Sequence, residues 1–168
     1  AKSSEVVCMN QLTVNLHLLL ISFYRPKGKR VKILFEYKPF PSDRYAFESQ
    51  AKLHGLDPNE VLVEMQPRLG EVLLREEDIL AKINELGDEL ALVCFGAVNY
   101  FSGQFFPVEK IGAAAHAVGA LIGLDLAHAA GNIPLELHQW NIDFACWCSY
   151  KYMNSGPGGV SGIYVQER

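Results

Sequence analysis

Two isolated charges mark the chemistry open to this chain. Lys151 is the one charged residue between Asp143 and Glu167, in the stretch CWCSYKYMNSGPGG. Asp125 is the one Asp, Glu, Lys or Arg between Lys110 and Glu136, in LIGLDLAHAAG. Burying an unpaired ammonium or carboxylate is costly, so each needs a partner. They either pair with each other or hold a ligand between them.

The second arrangement has a specific chemistry. A lysine desolvated in an apolar pocket is a nucleophilic amine that condenses with an aldehyde. Pyridoxal phosphate requires such a lysine, an acidic partner for its ring nitrogen, and donors for its phosphate. Asn10 suits an N-cap for a helix beginning at Leu12, which places Thr13 in the first turn. There the Thr13 hydroxyl either caps the helix or joins its N–H groups on a phosphate. Phe40 is either a core aromatic or a ring lying on the pyridine. Asp43 is an N-cap candidate, and His128 is either a satisfied core histidine or a neighbour of Asp125 at a strand end.

These residues need a frame that gathers them. Apolar runs alternate with helical patterns along the chain. Strands are expected at EVVCM, VKILFEY, EVLVEM, ELALVCFG, LIGLDLAH, DFACWCSY and GVSGIYVQ. Helices are expected at Leu12–Phe23, at SDRYAFESQAKLHG with Ser42 or Asp43 as N-cap, at REEDILAKINELG ended by Gly87, at PVEKIGAAAHAVGA opened by Pro107, and briefly at LELHQWN. This order implies an α/β fold, a three-layer sandwich around a mostly parallel sheet. Ligands in such folds bind at the carboxyl ends of the strands. The segments to watch are therefore 10–13, 40–43, 96–100, 125–128 and 150–159.

Composition narrows the classes further. At 168 residues, 49% hydrophobic and 20% charged, the chain suits one domain with a real core. A net charge of −4 gives no electrostatic case for a nucleic-acid partner. The basic run RPKGKRVK, with Pro and Gly inside it, reads as a solvated loop. Leu12–Phe23 is too short to span a bilayer and reads as a buried helix, so no membrane partner is expected. The start AKSSEVVCMN lacks the apolar core of a signal peptide, which points to the cytoplasm and to unpaired thiols at Cys8, Cys94, Cys146 and Cys148. Cys146 and Cys148 share a strand face with no further ligand at zinc spacing, so no metal site is expected. No G-x-G-x-x-G follows a strand and no Walker A motif exists, against a dinucleotide-binding domain.

The segments NQLTVNLHLLL, FPSDRYAFESQAKLHGL, VNYFSGQ, DLAHAAGN and DFACWCSYKYMNSGPGG, in that order and spacing, resemble the kynureninases, fold type I (aspartate aminotransferase-like) pyridoxal phosphate enzymes. The resemblance spans nearly the whole chain. It implies that Lys151 carries the cofactor and Asp125 meets the pyridinium nitrogen. His128 lies beside the ring, and Phe40 stacks on it, with the loop to Asp43 helping to hold it. Leu12 and Thr13 meet the phosphate end, and Tyr150 donates to the phosphate and assists proton transfer. The implied reaction is hydrolysis of L-kynurenine, or 3-hydroxykynurenine, to anthranilate or its hydroxy analogue and L-alanine, in tryptophan degradation, by a homodimer.

Two departures accompany the resemblance. The family often has a hydroxyl or histidine near Gly96–Ala97, and this chain has neither. Kynureninases are also considerably longer, so the chain corresponds to the central part of the large domain, without the N-terminal segment and the C-terminal small domain. Strands at both ends suggest uncovered sheet edges, and the isolated chain is expected to be inactive and to self-associate. The alternatives are a desulfurase-like pyridoxal phosphate lyase and a non-catalytic α/β fragment in which Asp125 and Lys151 pair.

Overall fold

Along each strand, apolar side chains point alternately to opposite sides, so both faces of the sheet need a cover. Helices supply it. In the computed structural model, which describes residues 1–167, the order is β1 Val6–Cys8, α1 Leu12–Phe23, β2 Lys32–Phe35, α2 Pro41–Leu53, α3 Pro58–Val61, β3 Leu62–Glu64, α4 Glu76–Leu86, β4 Leu90–Gly96, α5 Val108–Ala117, β5 Leu121–Asp125, β6 Phe144–Trp147 and β7 Gly162–Val165. The seven strands form one sheet in the order β1-β7-β6-β5-β4-β2-β3. Strand β7 runs antiparallel to both β1 and β6, and all other pairs are parallel. Only β7 is therefore reversed, and the other six strands end on the same side.

One apolar layer lies under α1 and α2. It holds Leu16, Leu19 and Leu20 of α1, Ala46 and Phe47 of α2, and Ile33, Phe35, Leu92, Cys94, Phe144 and Cys146 of the sheet. The other layer packs Ile79, Ile83 and Leu86 of α4 and Ile111 and Ala115 of α5 on Leu34, Val93, Phe95, Ile122, Leu124 and Ala145. A bulge between β2 and β4 adds Ala91 to β4, since Lys32 faces Leu90 while Ile33 faces Leu92. The extra residue lets Leu90 and Val93 reach the same face. Gly123 sits where a Cβ would fall 2.2 Å from the Phe144 ring, so the fully buried Phe144 can lie across β5 only above a glycine. Burying such a ring stabilises the fold by about 2–3 kcal/mol.

The α/β sandwich expected from the sequence is the fold observed, with four local differences. Leu135–Asn141 forms hydrogen-bonded turns rather than a helix, for example Trp140 N–H to Glu136 O at 2.9 Å. Strand β7 is not an edge: β1 covers it, and the edges are β1 and β3. Helix α1 is buried on one side only, with Val14, Leu18 and Ile21 exposed at helical spacing. The caps also differ. Asn10 has φ 50, outside the extended backbone of an N-cap, and Gln11 takes that place. Asn10 instead donates to Asn15 Oδ1 at 3.1 Å, and Asn15 donates to Met9 O at 2.8 Å, which closes the β1–α1 turn. In α2 the cap is Phe40, because Pro41 presets the first helical φ and starts the helix early. Asp43 is thereby released from capping.

Candidate active site

Five segments converge where the parallel strands end. Thr13 and Leu12 come from the first turn of α1, after β1. Glu36 follows β2 and leads to Phe40 and Asp43. Gly96 closes β4, Asp125 closes β5 and is followed by His128, and Tyr150 and Lys151 follow β6. All of them line one cavity of about 490 Å³, part of it open to solvent. Every site residue expected from the sequence is thus brought to one place.

Asp125 and Lys151 do not form an ion pair among the described residues. Lys151 Nζ lies 3.3 Å from His128 Nε2 and 5.5 Å from the centre of the Phe40 ring. Asp125, 8% exposed, accepts the Ala127 N–H at 2.8 Å. Burial raises its carboxyl above the usual range, against hydrogen bonds from Asp43 and Ala127 and the charge of Lys151, which pull it down. Asp43 is also raised, by burial and then by the Asp125 charge and their shared hydrogen bond. Their shared hydrogen bond draws the Asp125 carboxyl down and the Asp43 carboxyl up. An N-cap expectation had placed Asp43 on the backbone instead.

Burial, together with the Lys151 charge, lowers the His128 pKa, so its ring is neutral beside the amine. Phe40 is 44% exposed and belongs to neither apolar layer, so its ring is a cavity wall. It meets Tyr100 edge-on at 5.1 Å. No side chain caps the start of α1, whose first N–H groups lack intrahelical acceptors, and Thr13 is exposed there. Tyr150 is 44% exposed, and burial and the Cys148 thiol raise its pKa, keeping the phenol neutral and a donor.

Two residues of the site have no role in the sequence reading. Glu36, 5% exposed, accepts the Gly96 N–H at 3.0 Å, and burial pushes its carboxyl up to about 8. A Cβ on Gly96 would lie 2.9 Å from its Oε1, so the carboxyl fills the space where a side chain at 96 would stand. The available signal was one acidic residue closing the apolar run VKILF. Tyr100 fell in a watched segment without an assigned task; only the fold sets it against Phe40.

Among the described residues, the arrangement offers an amine with no ion pair, a buried carboxyl hydrogen-bonded to a second one, a flat aromatic wall and a helix start without a side-chain cap. Over its whole length the chain is 62% identical to a kynureninase of Flavobacterium johnsoniae, 56% to one of Nematostella vectensis and 54% to one of Yarrowia lipolytica, covering 40%, 36% and 38% of those proteins. The chain therefore spans about 40% of the length of the curated relatives it matches. Its fold superposes on an apo cysteine desulfurase of Thermococcus onnurineus NA1 with a TM-score of 0.79 at 24% identity, over 99% of this chain and 39% of that one. It superposes on a C-DES variant with glycine covalently linked to the PLP cofactor with a TM-score of 0.81 at 18% identity, over 99% and 42%. The Aminotransferase class-V family profile matches residues 2–168, and the chain belongs to that family.

Proposed function

We propose that the protein carrying this chain is a pyridoxal phosphate-dependent hydrolase that splits L-kynurenine, or 3-hydroxykynurenine, into the anthranilate and L-alanine. The observation that carries this reading is Lys151, an amine with no ion pair among the described residues, facing Asp125, His128 and Phe40 across one cavity. Identity of 54–62% to kynureninases along the whole chain supports the choice of substrate.

The residues fit the cofactor. A carboxylate deep in the cavity suits a ring nitrogen, an exposed phenyl suits a ring face, and an uncapped helix start with Thr13 suits a phosphate. When bound, pyridoxal phosphate supplies an electron sink that acidifies the Cα–H of an amino-acid substrate. Asp125, hydrogen-bonded to Asp43, would hold a proton at the ring nitrogen. Lys151 Nζ takes a proton from the substrate Cα and returns one later. Neutral His128 accepts a hydrogen bond from Nζ and keeps the amine aimed. Phe40 would face the ring, Leu12 and Thr13 would hold the anionic end, and the Tyr150 phenol would donate there and relay protons. The whole enzyme acts in the cytoplasm as a homodimer, a reading supported by the buried unpaired thiols of Cys94, Cys146 and Cys148 and by the apolar stripe Val14, Leu18 and Ile21.

The test joins two measurements on the purified protein. Borohydride reduction in the presence of pyridoxal phosphate is expected to fix the cofactor to Lys151, and kynurenine to yield anthranilate fluorescence. An adduct mapped to another lysine sinks the site assignment. Sulfide release from cysteine without anthranilate would favour the desulfurase-like lyase instead.

A further inference from the structure

Asn99 lies just past β4 with 3% of its surface exposed. Its side-chain nitrogen donates to the carbonyls of Tyr37 at 3.1 Å and Lys38 at 3.3 Å. Its Oδ1 accepts the N–H of Phe101 at 3.0 Å, the N–H of Ser102 at 2.9 Å and the Ser102 hydroxyl at 3.1 Å. Carbonyls only accept and N–H groups only donate, so these partners dictate which way the amide faces. One side chain thereby ties together two loops from different strands, 37–40 after β2 and 99–103 after β4.

Those loops carry the aromatic wall of the cavity. Phe40 comes from the first and Tyr100 from the second, with their rings at 80° to each other. Phe40 is half exposed and belongs to neither apolar layer, so its height over the cavity follows from where its backbone is held. Lys38 bends the first loop with φ 48, donates its N–H to Glu64 Oε1 at 3.0 Å, and lays its ammonium over the Phe101 ring at 3.8 Å. Glu64 and Phe101 grip the loop from outside; Asn99 is the buried tie between the two.

We infer that Asn99 is a positioning residue that acts through Phe40. Its amide sets the Phe40 ring opposite Lys151, and so sets the cavity's grip on a flat aromatic ring. The nature of that ring rests on the function proposed above; the tie between the loops does not.

Asn99→Asp separates the tie from the turn. It keeps an acceptor for Phe101 and Ser102 but turns an oxygen toward the Tyr37 and Lys38 carbonyls. The first readout is amide hydrogen exchange in protein without cofactor. Amides of Lys38, Asp43 and Arg44 are expected to exchange about tenfold faster in Asn99→Asp, while those of Phe101 and Ser102 keep their protection. The second readout is pyridoxal phosphate affinity by visible absorbance, for Asn99→Asp, Phe40→Leu and the double variant. Each single change is expected to weaken binding about tenfold, and the double variant to bind no more weakly than Phe40→Leu alone. A merely structural role would make the two losses multiply. Unchanged exchange at 38–44 overturns the inference, and so does a full Asn99→Asp loss in the Phe40→Leu background. Failure of the unaltered protein to load Lys151 defeats the proposed function instead, and the exchange result then decides the inference alone.

Discussion

Buried carboxyls occur in two regions of this molecule and are treated in opposite ways. Away from the cavity, Asp143, 1% exposed, takes the Ile122 N–H and the His116 ring, each at 2.8 Å, on Oδ2. Glu5, 4% exposed, takes the Lys2 N–H at 2.6 Å, the Glu167 N–H at 3.0 Å and the His138 ring at 2.6 Å. Burial pushes the Glu5 carboxyl up, but these donors outweigh it and hold it down at about 2. At the cavity, Glu36, Asp43 and Asp125 crowd one another, and all three are raised, by burial first. Carboxylates that fasten the fold are surrounded by donors. Those at the cavity have fewer donors, so burial dominates and raises all three.

Substitutions should pull the two regions apart. The largest stability loss is expected for Asp143→Ala, about 3–4 kcal/mol, because it strands a buried N–H and an imidazole. Chemical denaturation measures it, and a loss below that of an ordinary surface change would end the contrast. Asp125→Asn is expected to cost under about 1 kcal/mol of stability, since it relieves crowding among acids, yet to weaken pyridoxal phosphate binding about 100-fold. A variant that unfolds readily but still binds the cofactor normally would place Asp125 with the fasteners.

Glu36→Gln sharpens the contrast through pH. The Glu36 carboxyl moves from an ordinary 4.5 to about 8 on folding, so the native state binds the extra proton between those values. Its contribution is whole below pH 4.5, declines as pH rises toward 8, and levels off above. Glu36→Gln removes that decline and is expected to be more stable than the unaltered protein at pH 8, by up to about 4 kcal/mol. Melting curves from pH 4.5 to about 8, the window those two values define, read the difference. Equal slopes would mean Glu36 is ionised in the fold. The smallest effect is expected at Glu5, where the sign reverses. Its folded value, about 2, lies below its ordinary 4.5, so its contribution is present above pH 4.5 and is lost as pH falls toward 2. Glu5→Gln should flatten the acid side of the stability profile and leave the alkaline side unchanged.

Much of this could be read from residue order. Lys151 and Asp125 stood out because each is alone in a long apolar stretch, and burial makes isolated charge expensive whatever the fold. The alternation of apolar runs and helical patterns determined the α/β class, and the rule that ligands sit at strand ends directed attention to Thr13, Phe40, His128 and Tyr150. Helix α1 was legible to the residue, and Gly87, with φ 49, ends α4 as its position suggested.

The tertiary structure decided what depends on neighbours distant in sequence. Asp43 looked like a cap because local chemistry favours one; Pro41 starts the helix earlier, and packing turns the carboxyl to Asp125, 82 positions away. Glu36 was one residue inside the expected strand VKILFEY, and only the parallel pairing of β2 with β4 brings it to Gly96. Residue order left Lys151 and Asp125 either paired or apart around a ligand, and only the fold sets His128, rather than Asp125, beside the amine. The sheet order put β7 inside and β1 at the edge, which no local pattern encodes. Periodicity and isolated charge are properties of neighbouring residues, so the sequence alone determines them. Which carboxyl receives donors and which is left with its proton is set by contacts across the sheet, and these exist only once the chain has folded.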